Sequence, residues 1–212
     1  AGLMVSRCAI LLGVAGLVCG CASSQQLPPV ADPATARATG QGPVVGYLEE
    51  NGGHAWLGIP FAKAPVGDLR WRAPRPPEGW SEPREALEFG SECIQFSSGL
   101  GSDAEAGEVV GSEDCLYLNV FAPPPDAVDD KDHPHGLPVM VWIHGGGNSI
   151  GSAHVYDGSR LAVQEQVVVV TIHYRLGVFG WLSHPALRPA GTSVADASGN
   201  FATLDMVRAL EW

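Results

Sequence analysis

The chain has 212 residues, enough for one α/β domain with a substantial core. Its 27 glycines and 17 prolines follow no Gly-X-Y period, and a hydrophobic content of 45% is too rich for disorder, so collagen, coiled coil and disordered chain are excluded. Twelve basic against 23 acidic residues leave a formal charge of -11, a field that repels a phosphate backbone, so nucleic acid is not an expected partner.

Met4, three positions after Ala1, is the expected start of translation. Behind Arg7 lies an apolar run from Cys8 to Val18. It is too short for a bilayer span, which takes ~20 residues, and has the length of a signal-peptide core, so residues 1-20 are expected to direct export. The run ends Leu17-Val18-Cys19-Gly20-Cys21, which resembles a bacterial lipoprotein signal with Gly20 before the cut and Cys21 as the lipidated N-terminus. An ordinary secretory cut after Ala22 is the alternative, since Gly20 and Ala22 are both small. The expected location is the bacterial periplasm or outer membrane, held by the lipid, or, with the ordinary cut, secretion. Residues 21-41 read as lipid anchor and tether, polar from 22 onward and interrupted by prolines.

Cys8 and Cys19 fall in the signal, which leaves Cys93 and Cys115 for the domain. In an oxidising compartment this pair invites a disulfide, with a loop-entropy contribution of about 3 kcal/mol; two separately buried thiols are the alternative.

Along the domain, Val44 to Leu48 and His54 to Ile59 read as strands joined by an Asn51-Gly52-Gly53 turn. From Pro65 to Pro83 the prolines exclude a helix or a central strand. Leu116 to Phe121, Val139 to Ile143 and Val167 to Ile172 follow as apolar segments. The last two are continuous rather than alternating, as in strands covered on both faces. Residues 122-137 form a Pro- and Asp-rich surface loop. Between the last two strands, residues 159-166 predict a crossover helix capped by Ser159, and Asn200 to Trp212 predicts another. This alternation is an α/β pattern.

His144-Gly145-Gly146-Gly147 directly follows the strand ending at Ile143. Glycines without Cβ atoms let several N-H groups converge on one oxygen, as an oxyanion hole requires. Phosphate-loop patterns fail here: Ile150 stands where G-x-G-x-x-G needs glycine, and no lysine follows Gly151. Gly147-Asn148-Ser149-Ile150-Gly151 matches the G-x-S-x-G nucleophile elbow, but Ser149 lies six residues past the strand with no helical pattern after it. Ser193, in a partial match, has no strand before it. His133 and His135 supply two imidazoles but no complete zinc set, and no metal site is expected.

Glu113-Asp114-Cys115-Leu116-Tyr117-Leu118-Asn119-Val120 resembles the signature of the type-B carboxylesterase and cholinesterase family of α/β hydrolases. Gly58-Ile59-Pro60-Phe61-Ala62, Leu69-Arg70-Trp71, the HGGG run, Tyr174 to Gly180 and Gly199-Asn200 with Leu204-Asp205 agree in order. Hormone-sensitive-lipase-like esterases share HGGG but lack the first block. The resemblance implies an α/β-hydrolase fold, incomplete over residues 42-212, with a mostly parallel central sheet and a small N-terminal antiparallel sheet. It implies hydrolysis of small-molecule carboxylic esters through an acyl-enzyme, without a cofactor. Gly146 and Gly147 would be oxyanion donors, Cys93 and Cys115 the first disulfide, and Arg70 with Glu113 and Arg175 with Asp205 buried ion pairs. Two departures stand out: Asn148 replaces an aromatic after HGGG, and residues 94-114 lack the tryptophan that binds choline.

The family's nucleophile would lie beyond Trp212, with the acid and histidine later still. A catalytically silent, esterase-like adhesion protein is the competing reading, and the intact HGGG run favours the enzyme. The last helix is expected to present Phe201, Leu204, Met206, Val207 and Leu210, and Val167 to Ile172 to be the edge awaiting the nucleophile strand. The chain alone is therefore expected to be inactive and not to fold stably, its exposed strand edge and helix face leading to aggregation. If Cys21 carries lipid, extraction of the expressed protein requires detergent and Cys21→Ala releases it, because two or more acyl chains hold where one is marginal. Membrane fractionation of the two forms checks this; equal retention of both would exclude the lipid.

Overall fold

The computed structural model describes residues 27-97, 104-128, 131 and 133-212; the expected signal peptide and Cys21 lie outside them. The first elements are β1 (Arg37–Ala38), β2 (Pro43–Val45), β3 (Tyr47–Leu48) and β4 (His54–Pro60). The segment from Val44 to Leu48 is not one strand: Gly46 divides it. A Cβ there would sit 1.9 Å from the Ala55 carbonyl oxygen, so the backbone crosses β4 too closely for any side chain. Before Gly46, β2 pairs antiparallel with β1 and parallel with β5 (Arg84–Glu85); after it, β3 forms the hairpin with β4. Between β4 and β5 the proline-rich stretch holds only a 3-10 turn at Gly67–Leu69.

A two-stranded ribbon of β6 (Gln95–Phe96) and β7 (Val109–Val110) follows. The Cys93–Cys115 disulfide joins its base to the start of β8 (Tyr117–Ala122), with both sulfurs' residues buried. Next come β9 (Val139–Ile143), α1 (Ser159–Glu165), β10 (Val168–Ile172), α2 (Gly177–Trp181) and α3 (Phe201–Leu210). Ser159 is not the cap of α1. Gly158 holds that position, and the Asp157 carboxylate reaches forward to accept from the Ser159 N-H at 2.8 Å.

The main sheet has the order β3-β4-β8-β10-β9. In these residues it is mixed rather than mostly parallel: only β10 and β9 run parallel, with Val170 opposite Val141. β4 meets β8 with an irregularity between Trp56 and Ile59. There the Gly58 N-H donates to Asn119 Oδ1 at 2.9 Å, while Asn119 Nδ2 donates to Thr171 Oγ1, so one buried amide links three strands.

β10 enters between β8 and β9 and is therefore flanked on both sides. The open edge is β9, where Val139 and Ile143 are 62% and 42% exposed and Met140 and Trp142 fall between. The two continuous apolar runs look alike because both are rich in valine and isoleucine. Sheet order alone decides that Val168–Ile172 is central and Val139–Ile143 is not.

One face of the sheet packs Trp56, Ile59, Phe61, Leu118 and Ile172 with Tyr174, Leu176 and Ala202, and the other packs Leu57, Phe121 and Val169 with Ala162 of α1. Helix α3 turns Phe201, Ala202, Asp205 and Ala209 inward and leaves Val207 and Leu210 exposed, which differs from its expected apolar face. Small residues set the contact: a Cβ on Gly180 of α2 would lie 2.8 Å from the Ala202 Cβ. Asp205 faces inward because Arg175 is there to receive it.

Arg175 Nε and Nη2 donate to the two Asp205 carboxylate oxygens at 2.8 and 2.7 Å, and the Arg175 N-H adds a third bond at 3.1 Å. Both side chains are almost wholly buried. The Arg70–Glu113 pair is different. It is bidentate, but its side chains are 38% and 19% exposed, so water screens it and it is not a buried pair. Its guanidinium lies against the rings of Trp71 and Phe179, an outer position that no sequence pattern specified. Removing one partner of a buried pair costs ~3-5 kcal/mol, so Asp205→Ala is expected to destabilise the fold by that amount. Glu113→Ala is expected to cost clearly less. Denaturant midpoints of the two variants, made in the whole protein that contains this chain, check the order.

Candidate active site

The chain leaves β9 at Ile143 and turns through His144, Gly145, Gly146 and Gly147 at the solvent-facing end of the sheet. Gly146 has φ +122° and Gly147 φ +62°. A Cβ at Gly146 would also lie 1.9 Å from the Ile150 carbonyl oxygen, so glycine is required there on two counts. The Gly146 carbonyl turns inward and accepts from the N-H groups of Ser149 and Ile150, both at 3.2 Å. The N-H groups of Gly146 and Gly147 donate to no partner among the described residues and lie on an exposed loop. Two successive unpaired amides beside a positive-φ turn are suited to an oxygen that carries negative charge. Asn148, also left-handed at φ +62°, closes the turn by accepting from the Gly177 N-H at 2.7 Å.

The loop is held from below. Tyr174 donates from its hydroxyl to the His144 carbonyl at 2.8 Å, and its ring stacks on the His144 imidazole with centroids 4.5 Å apart. Arg175, the next residue, is fixed by Asp205. On the far side, Gln95 brackets Gly151: its Oε1 accepts from the Gly151 N-H at 2.7 Å and its Nε2 donates to the Gly151 carbonyl at 2.9 Å. Gln95 stands two residues from the Cys93–Cys115 bridge, so the disulfide loop and the glycine loop are one mechanical unit.

Sequence reasoning singled out neither Gln95 nor Tyr174 as a support. Gln95 lies alone in a variable loop and carried no readable signal. Tyr174 opens the block Tyr174 to Gly180, 30 residues after His144, and nothing local in that block marks it as a brace for the loop.

Burial lowers the proton affinity of His144 and His154, and of His173 most strongly, with the neighbouring imidazoles adding to the effect on His173. All three are therefore neutral at pH 7. His144 lies beneath the loop and His173 just past the end of β10.

Ser149 is exposed, and its hydroxyl donates to the Gly147 carbonyl at 3.3 Å rather than to a base. A 3-10 turn at Ala153–Val155 follows instead of an α-helix, so the strand-to-helix turn of an elbow is missing around it. Ser193 caps a surface turn, exchanging hydrogen bonds with Asp196, which also holds Arg75. His133 pairs with Gln166 Oε1 at 3.2 Å. No group of three or more metal-ligating side chains is gathered among the described residues.

These features can be set beside known proteins. The model of the carboxylesterase family matches residues 33-212. The chain is 46% identical over 183 residues to a fumonisin B1 esterase of Sphingopyxis macrogoltabida, which covers 85% of this chain and 31% of that protein. It is 48% identical over 167 residues to a para-nitrobenzyl esterase of Bacillus subtilis strain 168, covering 77% and 31% respectively. Among solved structures, a carboxylesterase of Geobacillus stearothermophilus superposes with a TM-score of 0.67 at 41% identity, over 84% of this chain and 33% of that one. The chain thus spans about a third of the length of these relatives. Strand order, the glycine loop and the extent of these matches make the chain a member of the carboxylesterase family, with the α/β-hydrolase fold of the type-B carboxylesterases and cholinesterases.

Proposed function

We propose that the whole protein containing this stretch is an exported serine carboxylesterase, and that Gly146 and Gly147 are two of its oxyanion donors. The observation that carries the reading is the pair of unpaired amides on an exposed turn that requires glycine at Gly146. The serine, acid and histidine are proposed to come from the part of the relatives' length that this chain does not span. Signal peptide 1-20 and lipid on Cys21 are the proposed route to an extracytoplasmic membrane surface; the expected tether to residue 41 is shortened, because Thr35 is buried against Gly46 and Trp56 and Arg37–Ala38 already pairs with β2.

In the proposed cycle the serine oxygen attacks the ester carbonyl carbon while the histidine takes its proton. The carbonyl oxygen becomes an oxyanion and accepts from the Gly146 and Gly147 N-H groups and from a third amide after the serine. Collapse breaks the carbon-oxygen bond to the alcohol, which leaves with the proton from histidine, and an acyl-enzyme remains. Water repeats the sequence and releases the acid. This chain's contribution is preorganisation: the two amides are unpaired on an exposed, braced loop, so no internal hydrogen bond has to break as charge develops. Asn148 in place of an aromatic side chain gives that wall of the acyl site a more polar lining. Fumonisin B1 and para-nitrobenzyl esters name the substrates of relatives and set the class to be tested, carboxylic esters of small alcohols and acids.

Two variants in the whole enzyme test the reading. Gly146→Pro deletes a donor and cannot adopt φ +122°, so turnover is expected to fall at least ~10²-10³-fold. Ser149→Ala is expected to keep turnover within a few-fold. Burst kinetics with a chromogenic ester measures both, and loss of acylation in Ser149→Ala alone would reverse the roles.

A further inference from the structure

Three imidazoles lie in a row beneath the glycine loop. His154 is partly exposed, His173 is 1% exposed and His144 is 3% exposed. Ring centroids are 4.8 Å apart for His154 and His173 and 6.2 Å for His173 and His144, the latter edge-on at 74°. Two ring nitrogens here, His144 Nε2 and His173 Nδ1, are buried with no hydrogen-bond partner. Buried polar atoms are otherwise nearly always paired.

The other hydrogen bonds say which of these nitrogens carries a proton. The Gly145 carbonyl can only accept, so His144 Nδ1, 3.0 Å away, is the protonated nitrogen and its Nε2 is a bare lone pair. Ser152 Oγ accepts from the His154 N-H at 3.0 Å, and the one acceptor that its own proton can reach among the described residues is His173 Nε2 at 3.3 Å, so pairing that hydroxyl proton assigns it to His173 Nε2. His173 then carries its proton on Nδ1. One orphan is a donor and the other an acceptor, on edge-on neighbouring rings.

We propose that His173 is a positioning residue for the oxyanion loop: its Nδ1-H is shared with His144 Nε2 through one bridging water, which satisfies both otherwise unpaired nitrogens and locks His144 in the Nδ1-H tautomer that holds Gly145. This rests on the oxyanion reading only for its effect on turnover. The locked imidazole fixes the first glycine from one side, while Tyr174 fixes the His144 carbonyl from the other. The titratable groups facing the pair are His154 and Tyr174, with Tyr156 acting on Tyr174; burial and the histidines, not a carboxylate, set the ionisation of both rings. Neutrality of all three rings, argued above, is what the tautomer assignment needs. A proton on His144 Nε2 would turn the acceptor into a second donor facing His173 and would undo the lock. Because the bond favours neutral His144, losing it raises that group's proton affinity.

The test uses the whole enzyme labelled with nitrogen-15 in its histidines. Two-bond imidazole spectra at pH 7.5 are expected to show His144 and His173 both protonated on Nδ1; a proton on His144 Nε2 overturns the proposal. His173→Phe, which keeps a ring and removes the donor, is expected to lower kcat at least tenfold with KM within twofold, and to move the acid limb of kcat to higher pH. His173→Asn, whose amide N-H can take the place of Nδ1-H, is expected to retain most of kcat. Unchanged kcat and acid limb in His173→Phe overturn the proposal, as does equal damage by Phe and Asn. If His173→Phe does not fold, the wild-type spectra still decide. If Gly146→Pro leaves turnover intact while His144 carries Nδ1-H, the oxyanion reading fails and the pairing stands; the reverse combination sinks the pairing alone.

Discussion

The buried pair of Arg175 and Asp205 connects the end of the central strand to the helix that covers it. Three charge-assisted hydrogen bonds join them, including one from the Arg175 backbone, and almost no solvent reaches either side chain. A buried charge is tolerable only when its partner is held, so α3 cannot slide without exposing or orphaning a charge. That constraint sets the place of Tyr174 one residue earlier, and Tyr174 in turn carries the His144 carbonyl at the root of the glycine loop. An interaction remote from the glycine loop therefore helps to hold its root.

A second support reaches the loop from the opposite side. The disulfide closes residues 93-115 into a loop, Gln95 within it grips both backbone groups of Gly151, and Gly151 ends the segment that begins at Gly146. Covalent closure limits how far Gln95 can stray, and the two amide bonds transmit that limit. The glycine loop can thus be exposed and rich in positive φ while still being anchored at each end. Preorganisation of this kind is what electrostatic stabilisation of a developing oxyanion demands, since donors that had to move would lose much of their benefit.

The sheet has an asymmetric character. Strand β10 is enclosed by β8 and β9, whereas β9 shows its apolar residues along an outer edge. Within the strands, the buried Asn119 amide is satisfied by bridging Gly58 and Thr171. The signature block that holds Asn119 and Cys115 thus contributes both a strand connector and one end of the disulfide.

Residue chemistry alone was enough for several features. The run HGGG after an apolar strand announces unhindered amides, because glycine is the residue that permits positive φ and close approach. The alternation of apolar strands with helical segments announces an α/β sheet, and the ordered blocks from Gly58 to Asp205 identify the family. Other features needed the third dimension. Gly46 splitting one strand between two sheets follows from its distance to Ala55, which no local pattern encodes. Central and edge strands read alike, since both are valine-rich, and only the insertion of β10 separates them. The inward face of α3 combines Phe201 with two alanines and one paired aspartate while Val207 and Leu210 stay exposed, because close helix contact rewards small size and a buried arginine requires an acid. The supports of the loop, Gln95, Tyr174 and His173, are far from one another or unremarked in sequence, and their roles exist only because folding brings their hydrogen-bonding groups to the same few residues.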